Sequence, residues 1–173
     1  MSAVQALLTD PTAIGNWQLV PARSSVRFKN KTLWGLVTVT GEFADLRGAG
    51  QAGADGAVSG ELVIGAASCK TGIKKRDEHL RSADFFDVEK YPEIRVEVTG
   101  VESGDHLRAA LTVRGTTRPL RLPVTVERVN DGTVRLTTQT VIDRTQLGIS
   151  GNMVGMMPTT TTLLADVVFA KAE

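Results

Sequence analysis

The chain is poor in several features that would point to particular functions. Its 173 residues hold one cysteine, Cys69, so no internal disulfide can form and folding does not depend on an oxidising compartment. It has no basic excess: 20 Lys and Arg stand against 19 Asp and Glu, a formal charge of +1. Proteins that grip nucleic-acid phosphates or an anionic membrane surface usually carry such an excess, so neither is an expected partner. Apolar runs are short, and none approaches the roughly 20 residues needed to span a bilayer. The opening MSAVQALLTD lacks the basic start and unbroken apolar stretch of a secretory leader. The expectation is a cytoplasmic protein without membrane insertion. It forms one domain over residues 1–173, with residues 1–15 as an N-terminal extension.

Motifs for metals and cofactors are equally scarce. His79 and His106 are far apart, and no CxxC or HExxH spacing occurs. Met153, Met156 and Met157 form a thioether cluster of a kind that can hold Cu(I), but methionines more often fill irregular apolar gaps or line adaptable surfaces. Gly48 to Gly53 matches GxGxxG in letters, yet a strand-like segment follows where a dinucleotide site needs a helix. No cofactor and no metal are expected.

What the chain does have is two-residue alternation, the period of a strand with one buried face. Val37, Val39 and Phe43 share a face with Gly41. Val58, Leu62 and Ile64 share one with Gly60. The pattern returns through Ile94–Val98, Leu107–Val113, Leu120–Val126, Val134–Leu136 and Leu163–Phe169. With the opening segment around Trp17, Leu19, Val26 and Phe28, this predicts about eight strands. Ser103-Gly104-Asp105 and Asn130-Asp131-Gly132 read as hairpin turns, and Gly48 to Gly60 reads as a flexible Gly/Ala-rich turn. The expected fold is all-β: an eight-stranded antiparallel barrel, closed so that no edge is left exposed.

One stretch departs from the pattern. Thr71 to Lys90 has no alternation and reads as a short helix or two, with Thr71 and Ser82 as N-caps, ended by Tyr91-Pro92. This helical cap is expected between the third and fourth strands, over one barrel end. Arg76 and Asp77 suit structural ion pairs that tie the cap down. Proton transfer by Asp77 and His79 is the alternative, but neighbouring helical residues point in different directions.

The strings "GLVTVTGEF", "TGIKKRDEHLRSADFFDVEKYPEI", "LTVRGTTRPLRLPV" and "IDRTQLGI" resemble the YceI-like family of lipocalin-like barrels. The resemblance runs from about Trp17 to the C-terminus. It implies a barrel with an elongated apolar cavity, a helical cap, binding of polyisoprenoid or other long-chain lipids, and frequent pairing as a homodimer.

The residues support a cavity in their own way. Gly41, Gly60, Ala66, Gly100 and Ala109 fall on the inward faces and subtract volume, while aromatics make up only 5% of the chain. An eight-stranded barrel holds either packed side chains or one slender ligand. The expected ligand-lining residues are Phe28, Trp34, Val39, Phe43, Leu62, Ile64, Leu80, Phe85 and Phe86 on the first part of the chain. Val96, Leu111, Val113, Leu122, Leu136, Met153 and Met156 complete the set. Lys74, Lys75, Arg76 and Arg81 are candidates for pairing with a phosphate head group, although charge runs on short helices are usually solvated. The expected function is binding or carriage of an isoprenoid-, quinone- or fatty-acid-like lipid. Alternatives are an enzyme acting on such a lipid, with Asp77 and His79 moving protons, or a solid-barrel stress-response module.

Overall fold

A computed structural model describes residues 2–32, 37–129, 131–149 and 160–172. Strands β1 (Gly15–Leu19) and β2 (Ser25–Thr32) form one run, interrupted by a 3-10 turn at Pro21–Arg23. Proline lacks the N–H that a strand ladder needs, so the run breaks there. Ser24 bridges the break: its hydroxyl donates to the Val20 carbonyl and accepts from the Val168 N–H. The second run is likewise divided into β3 (Val37–Phe43) and β4 (Leu46–Ala52). The partner segments match, since β1 pairs with β4 and β2 with β3. The remaining strands are β5 (Val58–Gly65), β6 (Cys69–Lys70), β7 (Glu93–Glu102), β8 (His106–Val113), β9 (Thr116–Arg128), β10 (Val134–Asp143) and β11 (Thr160–Lys171).

All pairings are antiparallel. The order β1-β4-β5-β7-β8-β9-β10-β11 returns on itself through β1 and β11, which closes an eight-stranded barrel. β11 serves both halves of the first run, pairing Leu163 with Phe28 and Trp17 with Lys171. The hairpin turns fall where glycine permits them, with positive φ at Gly104 and Gly132.

Four local expectations are corrected. Helix α2 (Lys74–Arg81) follows β6 and precedes β7, not the third strand, because the first two runs are each broken in two and the short β6 intervenes. Gly48 to Gly60 is not a flexible turn: residues up to Ala52 belong to β4. Glycine is needed in this strand because a Cβ on Gly48 would stand 2.9 Å from the Glu61 carbonyl oxygen and 3.4 Å from Leu19. Gly100 does not face inward, since an irregularity between Val98 and Gly100 turns it under the Arg108 guanidinium. The caps also differ: Ile73 precedes α2 without a side-chain cap bond, and Ser82 ends the helix.

Within the expected N-terminal extension, residues 3–13 pack against the barrel. Helix α1 (Ala3–Leu8) starts at Ser2, whose hydroxyl accepts from the Gln5 N–H, and buries Val4 against Ala109, Leu122 and Val124. The Ala3 and Val4 N–H groups donate to the Asp105 carboxylate at 3.3 and 3.0 Å. The Trp17 indole N–H donates to the Ala13 carbonyl, tying the following 3-10 turn to β1.

Candidate functional site

The barrel holds a cavity of about 310 Å³. That lies at the lower end of small-molecule sites, about 300–1,000 Å³, and suits one slender molecule. Its wall is built by strand alternation. β2 contributes Val26 and Phe28, β5 Leu62 and Ile64, and β7 Ile94, Val96 and Val98. β8 contributes Leu111 and Val113, β9 Leu120 and Leu122, and β10 Leu136. Phe43 of β3 joins Phe28 and Phe86 in a ring cluster, with centroids 5.6 to 6.1 Å apart.

The cap supplies Leu80, Phe85 and Phe86 to the lining. Phe85 is a core residue, 3% exposed, with the His79 ring edge-on at 5.0 Å, while Phe86 is half-buried. Val39 is half-buried and lies outside the lining. Trp34, Met153 and Met156 lie outside the described residues.

The cationic groups of the cap do not reach the cavity. Arg76 donates to the hydroxyl and carbonyl oxygens of Thr71, and Arg81 to the carbonyls of Ala67 and Cys69. Both are spent on holding α2 against the chain before it. Lys74 and Lys75 are exposed and line nothing. Asp77 is buried, accepting from the Thr71 N–H at 2.8 Å and from its hydroxyl, while His79 lies 3.0 Å from Asp84. The two residues considered for proton transfer therefore have separate partners away from the cavity wall. Arg114 completes the attachment by donating to the carbonyls of Phe85 and Gly148, at 3.0 and 3.1 Å.

Several lining residues were missed in the sequence. Val4, Leu7 and Leu8 of α1, with Ala13 and Trp17, close the end opposite the cap. Their spacing of three and four residues behind Ser2 was the available signal. Arg144 also lines the cavity at 4% exposure, and its guanidinium donates to the Ile149 carbonyl at 2.6 Å. Burial holds its pKa below the ordinary arginine value. Asn30, Thr138, Thr140 and Thr161 are among the few polar residues of a predominantly apolar wall.

Cys69 is fully buried, and burial, assisted by the Asp77 charge, pushes its thiol up to about 12. It is not a poised nucleophile. Among the described residues, no three or more His, Cys, Asp or Glu side chains gather as metal ligands, and no helix is long and apolar enough to cross a membrane.

The YceI-like domain family model matches residues 17–169. The chain belongs to the YceI-like family. Among YceI-like proteins, Protein YceI of Escherichia coli O157:H7 is 41% identical over 64 residues, 35% of this chain and 34% of that protein. The match thus spans about a third of the curated relative's length. The crystal structure of Burkholderia cenocepacia BcnA superposes with a TM-score of 0.78 at 21% identity, covering 87% of this chain and 98% of that one. A polyisoprenoid binding domain from Saccharophagus degradans, implicated in plant cell wall breakdown, gives a TM-score of 0.75 at 18% identity over 90% and 98% of the two chains. These two likenesses establish the shared YceI-like fold.

Proposed function

We propose that this protein binds and carries a long-chain, isoprenoid-type lipid inside the barrel. The observation that carries this reading is a barrel cavity of about 310 Å³ walled by Leu, Val, Ile and Phe from every side of the barrel. An aliphatic chain gains roughly 0.8 kcal/mol for each CH₂ it buries in such a space. The polyisoprenoid-binding Saccharophagus degradans domain, built on the same fold, supports the choice of tail.

An enzyme working through Asp77 and His79 is the weaker reading, because neither residue lines the cavity where the lipid would lie. A solid barrel is disfavoured by the cavity itself. Cytoplasmic residence fits the free, buried Cys69, and pairing with a second copy follows the family resemblance. Sedimentation of the lipid-loaded protein tests the pairing.

The carrier reading is tested by mass spectrometry of an organic extract of the purified protein. The expected result is a prenyl-type lipid at close to one molecule per chain. Extracts that stay empty, from protein that also fails to take up added prenyl lipid, would overturn it.

A further inference from the structure

Alternation along the wall is broken at Asn30. Val26 and Phe28 precede it on the inward face of β2, and the next inward position holds an amide instead of another apolar side chain. Asn30 is 7% exposed, and its Oδ1 has no hydrogen-bond partner among the described residues. The pairing of Lys29 with Thr162, and of Ile142 with Thr161, sets the buried Thr161 beside it on β11. Thr140, opposite Leu163, lies one rung further in. The cavity thus has a polar corner at its cap end, since Phe28 on the preceding rung touches Phe86.

A buried oxygen without a donor is unfavourable and is rare in folded proteins unless something in the working state satisfies it. We propose that Asn30 is the recognition point for an un-ionised hydroxyl on the bound lipid, so that the ligand class is a long-chain alcohol or phenol. This rests on the carrier reading above and narrows it to one head-group chemistry. Asn30 Oδ1 accepts the hydroxyl hydrogen, and the hydrocarbon tail runs along the Leu and Val wall toward α1. A phosphate or carboxylate is disfavoured at this point, because burying its charge beside an uncharged amide costs more than the amide N–H returns. The buried cation of the lining, Arg144, already donates to the Ile149 carbonyl. Glu61 directs its carboxylate to Arg95 on the barrel exterior and does not compete for the hydroxyl.

The test compares three probes on the full-length, delipidated protein: geranylgeraniol, its methyl ether and its phosphate ester. Binding is followed by tryptophan fluorescence or by displacement of a fluorescent fatty acid. Wild type is expected to hold the alcohol about tenfold tighter than the ether, the scale of one buried hydrogen bond, and tighter than the phosphate. In Asn30→Leu the alcohol-to-ether ratio should fall to about one, with ether binding retained. Thr138 supplies the control, because its Oγ1 is also buried without a partner among the described residues but lies level with Ala165, deeper along the wall. Thr138→Val should leave the ratio unchanged. Equal binding of alcohol and ether by wild type would overturn the proposal. So would tighter binding of the phosphate, or a preference erased by Thr138→Val rather than by Asn30→Leu. The wild-type comparison needs no variant to fold. If none of the three probes binds, the carrier reading itself fails, which is a distinct result.

Discussion

Phe28 and Gly41 face each other across β2 and β3, and the Phe28 ring occupies the place where a Cβ on residue 41 would project. Such an atom would stand 2.2 Å from Phe28 Cζ and 2.3 Å from Cε1. The ring lies over the glycine and reaches Phe43 and Phe86, which joins the barrel wall to the cap. Glycine here is a matter of space, since its φ is not in the left-handed region.

Gly41→Ala is therefore expected to displace the ring. Overpacking of this kind costs about 1–3 kcal/mol, measurable as a lower midpoint in denaturant unfolding. An unchanged midpoint would mean that the aromatic cluster repacks freely.

Phe85 and Phe86, adjacent in sequence, should respond differently. Phe85→Ala removes a core ring and should destabilise the fold by about 3–5 kcal/mol. Phe86→Ser, at a half-buried position over the cavity, should weaken prenyl-lipid retention more than it lowers the melting temperature. Equal effects on both measurements for both variants would remove this division of roles.

Docking of α1 should depend on acid. The Ser2 hydroxyl, followed by the Val4 N–H, holds the Asp105 carboxyl below its ordinary value of 3.8. A depressed carboxylate contributes its stabilisation above the unfolded value and loses it as pH falls through the folded value. Amide exchange at Val4 should thus accelerate at acid pH below that range, and Asp105→Asn should abolish the dependence. Exchange that is equally slow across the range would show that burial of Val4 alone holds the helix.

Neutralising Lys74 and Lys75 together as glutamines should leave prenyl-lipid retention unchanged, because both are exposed and outside the lining. Arg81→Gln should instead loosen the cap, since the carbonyls of Ala67 and Cys69 lose their donor. Hydrogen exchange in α2 separates the two outcomes.

Cys69 should resist alkylation at neutral pH while the protein is folded and react at once in denaturant, following its pKa of about 12 and complete burial. Fast labelling of the native protein would place it at a surface.

The barrel was legible because alternation is a local property. Inward residues such as Leu62, Ile64, Leu111 and Val113 are marked by their own two-residue spacing, whichever strand they meet. β4 escaped because Gly48, Ala49 and Gly50 carry too little side chain to show a period. The strand exists because its backbone pairs with β1 and β5. Asn30 was visible as a letter, but its significance depends on which oxygen finds no donor.

The sequence by itself determined the alternation that turns residues such as Leu62 and Leu111 inward, that the sheet is antiparallel, and that the charged stretch from Thr71 onward leaves the strand pattern. All of these follow from spacing and turn chemistry within a few residues. Only the tertiary structure decided that Arg76 and Arg81 bind carbonyls instead of facing a ligand, that α1 closes one end, and that Asn30 Oδ1 is left unpaired in the cavity. The physical reason is that a hydrogen bond or a buried vacancy depends on what arrives from a distant part of the chain, and local periodicity carries no record of that.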